Sequence, residues 1–255
     1  MASVKKFTHE AVLQMIRHIN RQTLEPTNTD IDPARSHLNY RVSPSWKHRD
    51  DGRDISDYEC YTLRLKYLYV YNRPDVKTCA GWVISAPATL PKEQHKAFFQ
   101  ECYRFLETRY GRDNTISAVV HNDEKQGDEY GQGHLHYIFI PVVNDEKKHK
   151  TSGKKVCAND VLTRKELRDF HPALQAHLTA AGINAAVMTG VTAAQGGNRT
   201  VADLKRDGPV IERLKIEREL QEQEIKNLKL ERDRLLRERY GSRERSRERG
   251  VFIGR

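Results

Sequence analysis

Two histidines, His134 and His136, flank Leu135 in the run HLHYIFIPV, whose aromatic and β-branched residues predict a strand over His134–Val143. Alternate residues of a strand leave the same face, so the two imidazoles project together, about 7 Å apart along the backbone. A His-x-His pattern arises easily in a chain with 11 histidines and alone reads as structural. Its neighbours change that reading. His121 ends a second strong strand, Thr115–His121, and opens the segment HNDEKQGDEYGQGHLH. An antiparallel return therefore brings three imidazoles together, with four carboxylates between them. Neutral imidazoles beside oxygen donors suit Mn²⁺, Zn²⁺, Ni²⁺ or Fe²⁺, and Mg²⁺ less well because it favours oxygen.

A second pair lies on the first helix. Residues 9–22 read as helical because Val12, Leu13, Met15, Ile16 and Ile19 cluster at a period near 3.6. His18 and Arg21, three apart, are adjacent on a face beside that stripe. A polar helix flank is the plain reading of these two. A guanidinium next to an imidazole also keeps it neutral, as a nucleophile or base must be, and arginine is a good fork for phosphate.

The elements that must position these residues follow from the same patterns. A helix from about 92 to 110 begins after Pro91, buries Phe98, Cys102, Phe105 and Leu106, and stops at Gly111. Another, Thr163–Ala181, has a threonine cap and ends at Gly182. Further strands are expected at His37–Val42, Tyr61–Tyr71 and Gly81–Ser85. The tyrosines at 58, 61, 67, 69 and 71 read as half-buried strand aromatics. From Pro209 to about Tyr240 the chain is a charged amphipathic helix. Its heptad frame puts Ile211, Arg218, Ile225 and Arg232 at one seam position and Leu214, Gln221, Leu228 and Leu235 at the other. With two arginines in it, the seam is weak; it could pair with a second copy or lie as a single helix on the globular body. Residues 241–255 read as a basic, frayed tail.

The 255 residues carry a net charge of +9, from 44 basic against 35 acidic side chains. Its distribution says more than its sum: residues 113–145 hold one basic and six acidic residues, whereas 61–112 and 146–208 each carry a surplus of five positive charges. An acidic stretch suited to a cation thus sits between two basic stretches suited to a polyanion. The longest stretch without charge, 170–198, is broken by polar residues, so no membrane insertion is expected. The N-terminus lacks an apolar secretory core, which predicts a cytoplasmic protein. Cysteines 60, 79, 102 and 157 form no CxxC pair and read as reduced thiols.

RHINRQTLEPTNTDIDPARSHLNYRV (17–42), HNDE (121–124) with GHLHYIFIPV (133–142), and NRTVADLKR (198–206) resemble, in order, motifs of the MobV or Pre/Mob family of plasmid mobilisation relaxases. The resemblance implies an α+β fold of HUH type: a central antiparallel sheet flanked by helices in a domain over 1–208, followed by the long helix 209–240 and the tail 241–255. It implies that His18 is the nucleophile with Arg21 beside the scissile phosphate, and that His121, His134 and His136 hold a divalent metal, Mn²⁺ or Mg²⁺. Glu124 would be the motif acid, and Tyr40 and Tyr110 would bind DNA. Nine residues separate Glu124 from His134, Gly133 replaces the motif proline, and the inserted segment adds Asp128 and Glu129 as candidate acids. The implied activity is nicking of one strand at a plasmid origin of transfer, through a covalent 5′-phosphohistidine, with strand rejoining. Two other classes fit parts of the sequence: a non-nicking plasmid replication or copy-control protein, and a metal-dependent hydrolase unrelated to DNA.

Overall fold

The computed structural model describes residues 2–23, 28–48, 51–126, 129–188, 213, 217–219 and 221–234. The chain divides into two units, Met1–Thr189 and Gly190–Arg255. In the second unit residues 221–234 are helical and exposed. The expected boundary at 208, the motif stretch 198–206, the seam residues Ile211, Leu214 and Leu235, and the tail 241–255 lie outside the described residues.

The strands of the first unit are β1 (Ala2–Thr8), β2 (Tyr40–Arg41), β3 (Trp46–Lys47), β4 (Asp54–Ile55), β5 (Lys77–Ser85), β6 (Thr115–His121), β7 (Lys125–Gln126), β8 (Glu129–Tyr130), β9 (His134–Phe139), β10 (Val142–Asn144) and β11 (Lys154–Val156). Its helices are α1 (His9–Ile19), α2 (Asp57–Lys66), α3 (His95–Tyr110), α4 (Ala158–Val161) and α5 (Arg164–Ala180). Five strands form one antiparallel sheet in the order β1-β5-β9-β6-β2. The expected α+β architecture with a central antiparallel sheet is what the chain adopts.

Strand alternation divides the core into two layers. Leu135, Tyr137 and Phe139 of β9 face α3 and α5, where Phe98, Leu106, Phe170 and Leu174 are fully buried, and Trp82 stacks on Phe170 with ring centroids 3.5 Å apart. On the opposite face Ile138 packs against Val12, Ile16 and Ile19 of α1 and Tyr61 of α2. Burying one such large apolar side chain contributes roughly 1.5–3 kcal/mol, so both faces of β9 are strongly specified. A one-residue slip would turn the histidines into the α3 core.

Three expectations on elements are corrected. Tyr61–Tyr71 is not a strand: Ser56 accepts a hydrogen bond from the backbone N–H of Glu59 and caps α2, an S-x-x-E signature that outweighs the tyrosine content. His37 and Leu38 end a 3₁₀ turn over Pro33–Leu38, and within 37–42 only Tyr40–Arg41 is strand. Pro141, unable to donate to a ladder, divides the expected His134–Val143 strand into β9 and β10. No helix among the described residues is long and apolar enough to cross a membrane.

Candidate active site

Strands β6 and β9 end at the same place. Their register sets His121 directly opposite His134 and Val119 opposite His136, so all three imidazoles leave the face that carries α1. Ring centroids are 5.4 Å apart for His121–His134, 4.5 Å for His121–His136 and 5.0 Å for His134–His136. The last turn of α1 brings His18 over this triangle, 6.0 Å from His121 and 5.9 Å from His136.

The hydrogen bonds of each ring determine which nitrogen is left. His121, fully buried, donates from Nε2 to the Ile19 carbonyl at 2.8 Å, so its Nδ1 keeps a lone pair, and that atom has no hydrogen-bond partner. His136 Nε2 is likewise buried without a partner. His134 donates from Nδ1 to the Gln132 carbonyl at 3.3 Å and turns Nε2 towards Glu124, 3.6 Å away. Anchoring one ring N–H on a backbone carbonyl while the other nitrogen faces inward is the habit of metal-ligating histidines. One ligand atom each from His18, His121, Glu124 and His136 lies within 4.8 Å of the others. Two orphaned buried nitrogens beside a carboxylate are costly unless something binds them, and their chemistry fits a divalent transition metal. His134 stands at the margin of this set, although the sequence weighted it equally.

Burial and neighbouring charges favour the neutral form of His18, His121 and His136. Burial lowers the His18 pKa first, with the Arg21 guanidinium and His121 adding to the shift. Burial likewise lowers His121, and it holds His136 well below the ordinary histidine value. Burial alone would raise Glu124; the facing imidazoles of His121 and His134 and the Arg21 guanidinium overcome it and keep the carboxyl ionised.

Arg21 is held in place by protein groups around the site. It sits just past α1 with φ 51°, a left-handed conformation that costs a non-glycine residue about 1–2 kcal/mol. Four of its five guanidinium N–H groups are engaged: Nε and Nη2 with Asp123 at 2.8 and 2.6 Å, Nη2 with Glu124 at 2.7 Å, and Nη1 with the His18 carbonyl at 3.1 Å. Most of its donor capacity thus holds protein rather than facing outward. Asp123, adjacent to the motif acid and passed over in the sequence reading, is the hub. It also accepts from Ser36 Oγ and Asn39 Nδ2, and although burial would raise its carboxyl, Arg21 first and then these two donors draw it down to about 2. Alongside, Asp57 receives both Arg41 and the α1-terminal Asn20, fixing that turn to the edge strand and to α2.

The two tyrosines expected at DNA are not brought to the histidines. Tyr110 is buried among the α3 side of the core: Trp82 Nε1 donates to its hydroxyl at 2.9 Å and the hydroxyl donates to Glu166 at 2.7 Å. The Tyr110 hydroxyl is thus engaged on both sides within the protein. Tyr40 lies half-buried on edge strand β2, and burial pushes its hydroxyl up to about 12. Asp128 and the Glu129 side chain lie outside the described residues. Gly133 is explained by space: a Cβ there would meet Asn122 Oδ1 at 2.5 Å.

Comparison with known proteins finds relatives of the chain and of its fold. A family described as plasmid recombination enzyme matches residues 1–186. The plasmid recombination enzyme of Streptococcus agalactiae is 26% identical over 194 residues, which cover 74% of this chain and 35% of that protein. The type 3 enzyme of Staphylococcus aureus is 29% identical over 187 residues, covering 71% and 40%. The chain therefore spans well under half the length of the curated relatives it matches. Among solved structures, a Mn-bound MobM relaxase domain in complex with plasmid pMV158 oriT DNA shares the fold with a TM-score of 0.61 at 24% identity, over 81% of this chain and 97% of that one.

Proposed function

Because the chain belongs to the plasmid recombination enzyme family, we propose that its histidine cluster nicks one strand of plasmid DNA at an origin of transfer and rejoins it. The observation that carries this reading is the pair of unpartnered buried nitrogens, His121 Nδ1 and His136 Nε2, facing Glu124 under His18. His121, His134, His136 and Glu124 would hold a divalent cation, Mn²⁺ or Mg²⁺. When bound, the cation supplies Lewis-acid polarisation of the non-bridging phosphate oxygens.

His18 attacks the phosphorus through its neutral ring. A nitrogen–phosphorus bond forms as the bond to the 3′ oxygen breaks; the electron pair leaves on that oxygen, which takes a proton and becomes a free 3′-hydroxyl. The 5′ strand end stays on His18 until a 3′-hydroxyl reverses the step. Glu124, ionised and within 4.8 Å of His18, stabilises the positive charge that develops on the attacking imidazole. Arg21 holds Glu124 and the His18 turn, and one N–H remains for a phosphate oxygen. Tyr40 carries forward as a DNA contact at the sheet edge. The proposal includes a cytoplasmic setting and pairing of two copies through 209–240, where Ile225 and Leu228 are 51% and 58% exposed.

Relaxation of supercoiled plasmid carrying its own origin, with and without Mn²⁺, tests the reading, with His136→Ala as the control. Mn²⁺-dependent nicking lost in the variant is the expected result. DNA binding without nicking would favour the replication or copy-control alternative.

A further inference from the structure

The other end of the sheet carries a surface that the nicking chemistry does not use. After Pro141 the chain turns into the hairpin β10–β11, and the segment following α2 joins it: Tyr69 N–H donates to the Lys154 carbonyl at 3.0 Å and Val156 N–H to the Tyr69 carbonyl at 2.9 Å. This pairing lines up a row of flat side chains. His149 stacks on Tyr69 with centroids 4.0 Å apart and planes 11° from parallel. Tyr71 meets Tyr69 edge-on at 5.1 Å, and the Arg73 guanidinium lies 5.9 Å from the Tyr71 ring. Asp145, buried, accepts from His149 Nδ1 at 2.8 Å and from its backbone N–H at 2.8 Å, which fixes the imidazole against Tyr69.

The row is open and its surroundings are basic. Tyr71 is 40% exposed, and Arg73, whose Nε lies 3.6 Å from Asp75, is 67% exposed. The hairpin adds Lys147, Lys148, Lys150 and Lys155, none of which pairs with a carboxylate among the described residues. Lysines beside His149 in sequence and beside Tyr69 in the bridge, joined to an exposed Tyr71 ring, are the chemistry of a single-stranded nucleic acid: the charges take phosphates and the ring takes a base face. β9 runs from the histidines to Phe139 and the hairpin begins at Val142, six residues or about 20 Å of extended chain beyond His136, so the platform lies at the far end of the strand from the scissile bond.

We infer that the His149–Tyr69–Tyr71 row and the β10–β11 lysines form a second binding site, for single-stranded nucleic acid, at the end of the sheet remote from the histidines. The choice of nucleic acid over other polyanions rests on the proposed nicking function. Two features separate stacking from mere charge. A stacking site prefers a strand with bases to one without, whereas a charged patch does not distinguish them. Lysine contacts set the salt dependence, with a slope in log affinity against log salt of about 0.7 for each phosphate neutralised on a single strand.

The test is fluorescence anisotropy of the full chain with a 20-nucleotide oligo-dT and with an abasic strand of equal length, in EDTA so that no metal-dependent cleavage enters. Tyr71→Ala should weaken oligo-dT binding about tenfold and leave the abasic strand unchanged, and Tyr71→Phe should restore it. Lys147→Gln with Lys150→Gln should weaken both strands and flatten the salt slope by about 1.4. Equal affinities for the two strands in the unaltered chain, or an oligo-dT affinity indifferent to Tyr71→Ala, overturns the site. So does a lysine variant with an unchanged salt slope. These outcomes are independent of nicking: a chain that binds as described but never cleaves plasmid fails the active-site reading alone, and one that cleaves but ignores Tyr71→Ala fails this one alone.

Discussion

Arg21 and Asp123, 102 residues apart, join through two parallel bonds, Nε at 2.8 Å and Nη2 at 2.6 Å, with the carboxylate fully buried. Through this pair the last turn of α1, which carries His18, is tied to the end of β6, which carries His121. The same guanidinium reaches Glu124, so one side chain sets the separation of the proposed nucleophile, a ligand and the acid.

Breaking the pair should therefore be costly. Asp123→Ala leaves the Arg21 guanidinium, only 13% exposed, with Glu124 as its remaining carboxylate, and strands the Ser36 and Asn39 donors. Removing one partner of a buried pair destabilises by about 3–5 kcal/mol, and the retained Glu124 contact keeps the loss near the lower figure. Urea unfolding monitored by circular dichroism should show that loss. Asp123→Asn keeps the Ser36 contact and should lose less.

Metal titration separates the roles of His18 and His136. The ring nitrogen of His18 lies within ligand distance of the same set as His136, so geometry alone admits it as a fourth ligand. As the nucleophile, His18→Ala should keep Mn²⁺ affinity within about threefold while abolishing the covalent DNA adduct, whereas His136→Ala should lose at least the ten- to a hundredfold that removing a hydrogen-bond partner behind a ligand costs. Calorimetric titration reads the first quantity, and denaturing electrophoresis of an origin oligonucleotide the second. Matching losses of affinity in both variants would make His18 a ligand.

The acid side of the stability profile follows from the lowered histidines. His18, His121 and His136 titrate below their unfolded value, burial being the first cause in each. Below pH about 6.5 the unfolded chain binds protons that the folded chain refuses, so stability of the metal-free protein is fully present above that pH and falls as the pH drops towards the folded values. Each group contributes a slope of up to about 1.4 kcal/mol per pH unit. Thermal melts in EDTA between pH 7.5 and 5 should show the decline, and His136→Phe should make it shallower.

What was legible in the sequence was what local periodicity encodes. The two-residue repeat of β9 puts His134 and His136 on one face, and HNDE places His121 at a strand end, so the histidine cluster could be read from spacing. The role of Asp123 could not, because its donors Arg21, Ser36 and Asn39 come from 84 to 102 residues away. Strand β1 escaped notice because Lys5 and Lys6 interrupt its apolar alternation, as suits a sheet edge. The helix α2 carried a readable cap at Ser56 and Glu59, but neighbouring tyrosines outweighed it. The surroundings of Tyr110, in the TRYG that ends α3, are not encoded locally: the packing of α5, which delivers Glu166 from 56 residues away, turns it inward.

That inward turn makes a last prediction. The Tyr110 hydroxyl accepts from Trp82 Nε1 and donates to Glu166, whose carboxylate is gripped by Arg109 Nε at 2.6 Å and Nη2 at 2.8 Å. Tyr110→Phe keeps the ring stacked on Phe139, at 4.1 Å between centroids, and deletes only the oxygen. The indole N–H of Trp82, 2% exposed, then loses its acceptor, which costs about 1–3 kcal/mol. Chemical denaturation should show a stability loss in that range while affinity for an origin oligonucleotide stays at the level of the unaltered chain. A weakened DNA affinity with unchanged stability would place the hydroxyl at the nucleic acid after all, and would mean that α5 moves away from α3 when DNA binds.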